Sequence, residues 1–336
     1  MSWMNHLTAI FLFLSSFSVF SQSIKSIEVA PFMGSDILLP DVDYPFSAFG
    51  IQAKYIKQSS GDKDWQHYYN LPRMGQEILY ANYSRNGYSI SSNTFVEFDF
   101  LQSLKHQLFI SPAIGLVYAS ETFSTLPDYP LISSPVSISF KVEFGYRYSL
   151  SSKWKISTAF MVSHFSNGNT STPNYGLNMK ALKLGLNYGF GEESATNYTP
   201  YEKSSYRRFF GQVSMGSGVK SNADERYGFL NGYLNGGLSF HPFHRIVGGI
   251  NFFTDRTFTS ASDERIGLTL GYQIIIGKIR FSVQPGWYLK EYDGDYRYYQ
   301  VTLQYQISRL LFLQSSLRTT EDFFAEDLAF GLGLEI

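Results

Sequence analysis

His164 and Ser166 stand two residues apart in the stretch KISTAFMVSHFSNGNTSTPNYGLNMKALKLGLNYGF, residues 155–190. An imidazole beside an alcohol is the minimum equipment for nucleophilic acyl transfer. The ring accepts the hydroxyl proton as the oxygen attacks a carbonyl, and a third group must hold the ring's other nitrogen. In an extended strand, side chains two apart share a face, so His164 and Ser166 lie with Phe160 and Val162, while Ser157, Ala159 and Ser163 take the other side. On the returning segment Leu182, Leu184, Leu186 and Tyr188 form an apolar face. Counting back along it brings in Lys180 and Asn178. The pattern therefore predicts His164, Ser166 and Asn178 together at the rim of one outward-facing apolar surface. The competing account is a polar interfacial girdle without chemistry, in which Lys180 is a snorkelling rim lysine that could also meet a lipid phosphate.

The elements that must carry this hairpin are legible in the same alternation elsewhere. Val136, Ile138, Phe140, Val142, Phe144, Tyr146 and Tyr148 alternate with Ser137, Ser139, Lys141, Glu143, Gly145 and Arg147. Ile279, Phe281, Val283, Pro285 and Trp287 do so with Lys278, Arg280, Ser282, Gln284 and Gly286, and Tyr299 to Ile307 repeats the rhythm against Gln300, Thr302, Gln304 and Gln306. The polar face must meet water or its own kind, which disfavours a two-layer sandwich with a dry core. The chain has 336 residues, 44% hydrophobic and 18% aromatic with 30 Phe and 25 Tyr. Beyond the N-terminus no run approaches the roughly 20 apolar residues of a membrane helix. Together these predict an all-β fold, an antiparallel transmembrane β-barrel of the bacterial outer membrane with aromatic girdles.

Connections test the reading, because such barrels have short periplasmic turns and longer outer loops. Short links fall at 149–152, near His241 and Pro242, at Gly277 and Lys278, and at Ser308 and Arg309. Longer stretches fall at 119–135, 167–174, 218–227, 255–262, 291–296 and 319–325. The count is about sixteen strands, within a range of 8–16, in a single barrel over 22–336, preceded by a signal peptide over 1–21 with an apolar core from Leu7 to Phe20. Residues 58–72 and 191–205 are long where parity asks for short turns. The second divides the chain into halves and leaves open two units in place of one.

Other chemistries find little footing. A formal net charge of −1 gives no footprint for nucleic acid. The absence of cysteine removes disulfides and thiolate metal sites. His241 and His244 flank a turn without a third metal ligand beside them. Asp255, Asp263, Glu264, Asp293 and Asp295 gather in or beside predicted outer loops, where calcium or lipopolysaccharide cross-bridging competes with simple solvation. No metal and no cofactor is expected.

The motif His164-Phe165-Ser166-Asn167, followed by Pro173-Asn174-Tyr175-Gly176, resembles that of the PagL-type outer-membrane lipid A 3-O-deacylases and their acyloxyacyl-hydrolase-like relatives. WQHYYNLPRMG, residues 65–75, is similar to a segment of longer members of Bacteroidetes type. The resemblance implies a serine hydrolase acting on lipid A or lipopolysaccharide among outer-membrane lipids. It makes His164 the base, Ser166 the nucleophile, and Asn167 and Gly168 the oxyanion donors. The family's carboxylate, a Glu, aligns with Asn178, whose amide can fix a tautomer but cannot offset an imidazolium charge. Two rival readings stand beside it: a non-enzymatic barrel (pore, adhesin or scaffold), and a phospholipase using the same pair.

Overall fold

The computed structural model describes residues 25–37, 45–103, 105–128, 131–190, 206–222, 225–254, 264–292 and 295–336. Sixteen strands form in chain order: β1 (Lys25–Asp36), β2 (Ser47–Gln58), β3 (Arg73–Asn82), β4 (Tyr88–Gln102), β5 (His106–Ala119), β6 (Val136–Ser149), β7 (Trp154–Ser166), β8 (Leu177–Phe190), β9 (Phe209–Asn222), β10 (Glu225–His241), β11 (His244–Thr254), β12 (Glu264–Ile276), β13 (Ile279–Tyr292), β14 (Asp295–Gln306), β15 (Leu311–Thr320) and β16 (Ala325–Glu335). One short helix, α1 (Asp64–Tyr68), lies between β2 and β3.

The strand count is the one expected, but the sheet closes twice. β1 to β8 form one closed barrel and β9 to β16 another, all antiparallel. The first closes by pairing β1 with β8, from Lys25 opposite Phe190 to Asp36 opposite Met179. The second closes by pairing β16 with β9, Phe330 opposite Ser217 through Glu335 opposite Gln212. The single ring expected over 22–336 is thus replaced by the two-unit alternative, divided at the 191–205 stretch. The reason is local pairing. Strand alternation is identical in one wide ring and two narrow ones, so hydrophobic pattern alone does not choose between them. The ladders also consume parts of two expected loops, since β9 and β10 pair as far as Asn222 opposite Glu225 and β13 and β14 as far as Tyr292 opposite Asp295. The signal peptide and Asp255, Asp263 and Asp293 lie outside the described residues.

Eight strands enclose a space that side chains can fill, and the two interiors fill it differently. In the first, five carboxylates (Glu28, Glu77, Glu97, Asp99, Glu143) and five cations (Lys54, Arg73, Lys141, Arg147, Lys183) are ion-paired and buried. The equal number of each sign lets every charge meet its opposite, which is what makes burial of ten charges tolerable. In the second, neutral amides dominate the middle: Gln304 bonds to Gln212 and Gln314, and Asn251 to Gln300. The outer faces carry Met33, Leu182, Leu184, Leu234, Leu270 and Leu332 exposed. An apolar belt over a filled polar interior inverts the soluble arrangement and suits hydrocarbon outside.

An apolar plug sits within the first barrel at the end that bears its long loops. Leu131, Ile132, Phe165, Leu177 and Met179 are among its members. Leu131 and Ile132 come from the β5–β6 loop and Phe165 and Leu177 from the ends of β7 and β8. The plug ties that loop to the β7–β8 hairpin, and so to the candidate residues.

Candidate active site

β7 and β8 are paired with His164 directly opposite Asn178 and Val162 opposite Lys180. Alternation sends Met161, Ser163 and Phe165 into the barrel, all buried, and leaves Phe160 exposed outside. His164 and Ser166 share the outward parity of Phe160. His164 is half-buried, and Ser166, only 6% exposed, is covered by the loop that follows it.

The cross-strand neighbours make one hydrogen bond, His164 Nδ1 to Asn178 Oδ1 at 2.7 Å. A carbonyl oxygen only accepts, so Nδ1 carries the proton and Nε2 keeps its lone pair. That is the tautomer a general base requires.

Residues 167–176 then fold back over Ser166. The chain takes left-handed backbone at Gly168 (φ 66°), Asn169 (φ 65°) and Gly176 (φ 78°), with a cis peptide at Thr172-Pro173. The turn brings two donors to the Ser166 hydroxyl oxygen, Asn174 Nδ2 at 2.9 Å and the Gly168 amide at 3.2 Å. Asn174 is itself held, its Oδ1 accepting from the Asn167 amide at 3.3 Å. The Asn167 side chain is used elsewhere, donating to Ser133 Oγ (3.0 Å) and to the Ser171 carbonyl (2.9 Å). The Gly176 amide donates to the Leu131 carbonyl at 2.9 Å, so the β5–β6 loop braces the hairpin at both ends.

The structure therefore brings together two pairs, His164 with Asn178 and Ser166 with Gly168 and Asn174. Among the described residues no hydrogen bond links the His164 ring to the Ser166 hydroxyl. Lys180 is exposed one outward position along β8 from Asn178 and makes no ion pair among the described residues. Asn174 is a site residue to which the sequence alone assigns no catalytic role. Its signal was its place in the Pro-Asn-x-Gly half of the motif. The role of its amide depends on how the loop turns, which spacing does not reveal.

The two histidines of the second barrel sit at the opposite end. His244 Nε2 lies 2.8 Å from Tyr68 Oη, and Nδ1 contacts Tyr272 Oη. Both ring nitrogens thus face phenols. No cluster of metal-ligating side chains occurs among the described residues.

Comparison with known proteins agrees with the division into barrels. Residues 49–187 match the family model described as lipid A 3-O-deacylase (PagL), and residues 208–336 that of the acyloxyacyl hydrolase C-terminal domain. No curated protein matches the chain. Among solved structures, neisserial surface protein A is 14% identical over 51% of this chain and 98% of its own, with a TM-score of 0.36. The outer-membrane enzyme PagL is 15% identical over 48% of this chain and 98% of its own, at 0.33. A Rhodopseudomonas blastica porin variant aligns over 94% of this chain and 99% of its own at 7% identity and 0.20. Closed antiparallel barrels with apolar exteriors, matched by these family models, define a transmembrane β-barrel protein of the bacterial outer membrane. The chain belongs to the PagL-type lipid A 3-O-deacylase and acyloxyacyl-hydrolase-like family.

Proposed function

We propose that this chain is a serine ester hydrolase that removes an acyl chain from lipid A in the outer leaflet. Ser166 is the nucleophile, His164 the base and Asn178 the group that orients the ring. The observation that carries the reading is the 2.7 Å contact of His164 Nδ1 with Asn178 Oδ1, since it leaves Nε2 free to take a proton. The outward parity of His164 and Ser166 supports it too, because it turns both side chains away from the filled barrel interior and toward the lipid side.

Rotation about the Ser166 Cα–Cβ bond swings the hydroxyl toward Nε2, a contact that commonly tightens only when substrate binds. Oγ then attacks the ester carbonyl and Nε2 takes its proton. The carbonyl oxygen becomes an oxyanion, and the Gly168 amide and Asn174 Nδ2, already aimed at Oγ, are the nearest donors for it. Collapse breaks the bond to the lipid A alcohol, which leaves with the proton from Nε2. Water, deprotonated by the same nitrogen, releases the fatty acid and restores Ser166. No cofactor enters the cycle. Lys180, exposed beside Asn178, is a candidate contact for a lipid A phosphate.

Mass spectrometry of lipid A from cells expressing the parent or Ser166→Ala tests this. The expected result is loss of one acyl chain with the parent and intact lipid A with the variant. Identical lipid A in both would sink the proposal, and lysophospholipid in place of deacylated lipid A would favour the phospholipase alternative.

A further inference from the structure

Leu328 belongs by parity to the outward belt of β16, where Phe330, Leu332 and Leu334 are 43%, 53% and 48% exposed, yet Leu328 itself is 6% exposed. What covers it is the loop of the other barrel. A Cβ placed on Gly168 would lie 2.6 Å from Leu328 Cβ, so the main chain of the site loop rests on this leucine with no room between them.

Bonds on either side of that contact tie the same loop down. Asn169 Nδ2 donates to the Glu326 carbonyl at 3.2 Å. The Ser221 amide at the end of β9 donates to the Asn169 carbonyl at 2.8 Å. Thr172 Oγ1 and Ser221 Oγ lie 3.3 Å apart. At the far end of the barrels a second fastening joins Tyr69 Oη to the Ile275 carbonyl at 3.2 Å, beside the Tyr68 and His244 pair. The second barrel holds no histidine at its loop end, since His241 and His244 both flank the β10–β11 turn. It therefore has no histidine of its own for a duplicate of the His164 site.

We propose that the second barrel completes the active site of the first, with Leu328 and Asn169 as positioning residues that set the height of the Gly168 amide and of Asn174 over Ser166. This rests on the hydrolase reading above. The physical reason is that the loop is held from two sides: Asn167, Ser171 and Gly176 are tied to the β5–β6 loop of their own barrel through Ser133 and Leu131, and Gly168 and Asn169 to the second barrel through Leu328, Glu326 and Ser221. Unbraced, the two donors would sample many positions, and a displacement of about 1 Å at a reacting centre can cost on the order of a hundredfold in rate.

The test uses the full chain reconstituted in vesicles of phospholipid and purified lipid A, comparing parent, Ser166→Ala, Leu328→Ala, Leu328→Met and Asn169→Gly. Glycine keeps the left-handed backbone at 169 and removes only the side-chain bond to Glu326. Leu328→Ala and Asn169→Gly are expected to lower kcat about tenfold with KM within about twofold, and Leu328→Met to restore kcat by refilling the contact. Should Leu328→Ala not fold, Asn169→Gly decides alone. Parental kcat in the folded variants, or a change confined to KM, overturns the positioning role while an inactive Ser166→Ala leaves the hydrolase reading standing. An active Ser166→Ala overturns both.

Discussion

Gly176 forms the wall against which the His164 imidazole packs: a Cβ there would lie 2.5 Å from His164 Cε1 and 3.2 Å from Nδ1. The glycine also sits at φ 78°, so two independent constraints forbid a side chain. Gly176→Ala is therefore expected to push the ring away from Asn178 and to strain the backbone by roughly 1–2 kcal/mol. Deacylation should fall at least about tenfold, with a modest drop in the midpoint of urea unfolding. Parental deacylation by a folded Gly176→Ala protein would remove the imidazole from the mechanism.

Asn174 and the Gly168 amide both reach the Ser166 oxygen, and only one of them can be deleted by mutation without touching the main chain. Asn174→Ala should lower kcat by about 10²–10³, the usual effect of losing one oxyanion donor. Because Asn174 Oδ1 also receives the Asn167 amide, Asn174→Asp separates the two tasks: it keeps the acceptor and loses the donor. Equal losses in Ala and Asp variants would assign the effect to the donor. Recovery in Asp would assign it to loop support.

Asn178 accepts from His164 Nδ1 but brings no charge to offset the imidazolium formed during attack. Asn178→Glu restores a carboxylate on the directly opposite strand position and should maintain or raise the rate, whereas Asn178→Ala should lower it by freeing the ring to turn. Single-turnover deacylation of lipid A would register both. A folded Asn178→Glu protein without activity would mean that position 178 does not serve the ring.

Much of this arrangement is readable from the chain alone, for a physical reason. The period-two alternation places Ser137, Ser139, Lys141, Glu143 and Arg147 inside and Phe144 outside, as observed, because a transmembrane strand divides its side chains between two solvents. The same rule put His164 and Asn178 on one face. It could not show that Ser166 would be roofed over, since that depends on left-handed turns at Gly168 and Asn169 and on Leu328, 160 positions away in sequence from Gly168. Nor could it distinguish one ring from two, because closure depends on which edge strand meets β1, and every strand here has the same alternating character. The matching of five buried acids with five buried bases inside β1 to β8 was visible only after their closure was known.

Glu143 illustrates what that closure demands. It receives Lys54 at 2.6 Å, Lys183 at 2.8 Å and Lys141, all buried. Glu143→Gln would leave three ammonium groups to share Glu77 and Glu28, and breaking such a buried set typically costs about 3–5 kcal/mol. In the second barrel Gln314 bonds, among the described residues, to the neutral partners Ser214 and Gln304, so Gln314→Ala should cost closer to 1 kcal/mol per bond lost. Urea unfolding followed by tryptophan fluorescence, with Trp154 reporting the first barrel and Trp287 the second, should show the first transition shifted far more by Glu143→Gln than the second by Gln314→Ala. Comparable shifts would mean that the charged interior is water-filled and screened, and liposome swelling with small sugars would then have to rise as well.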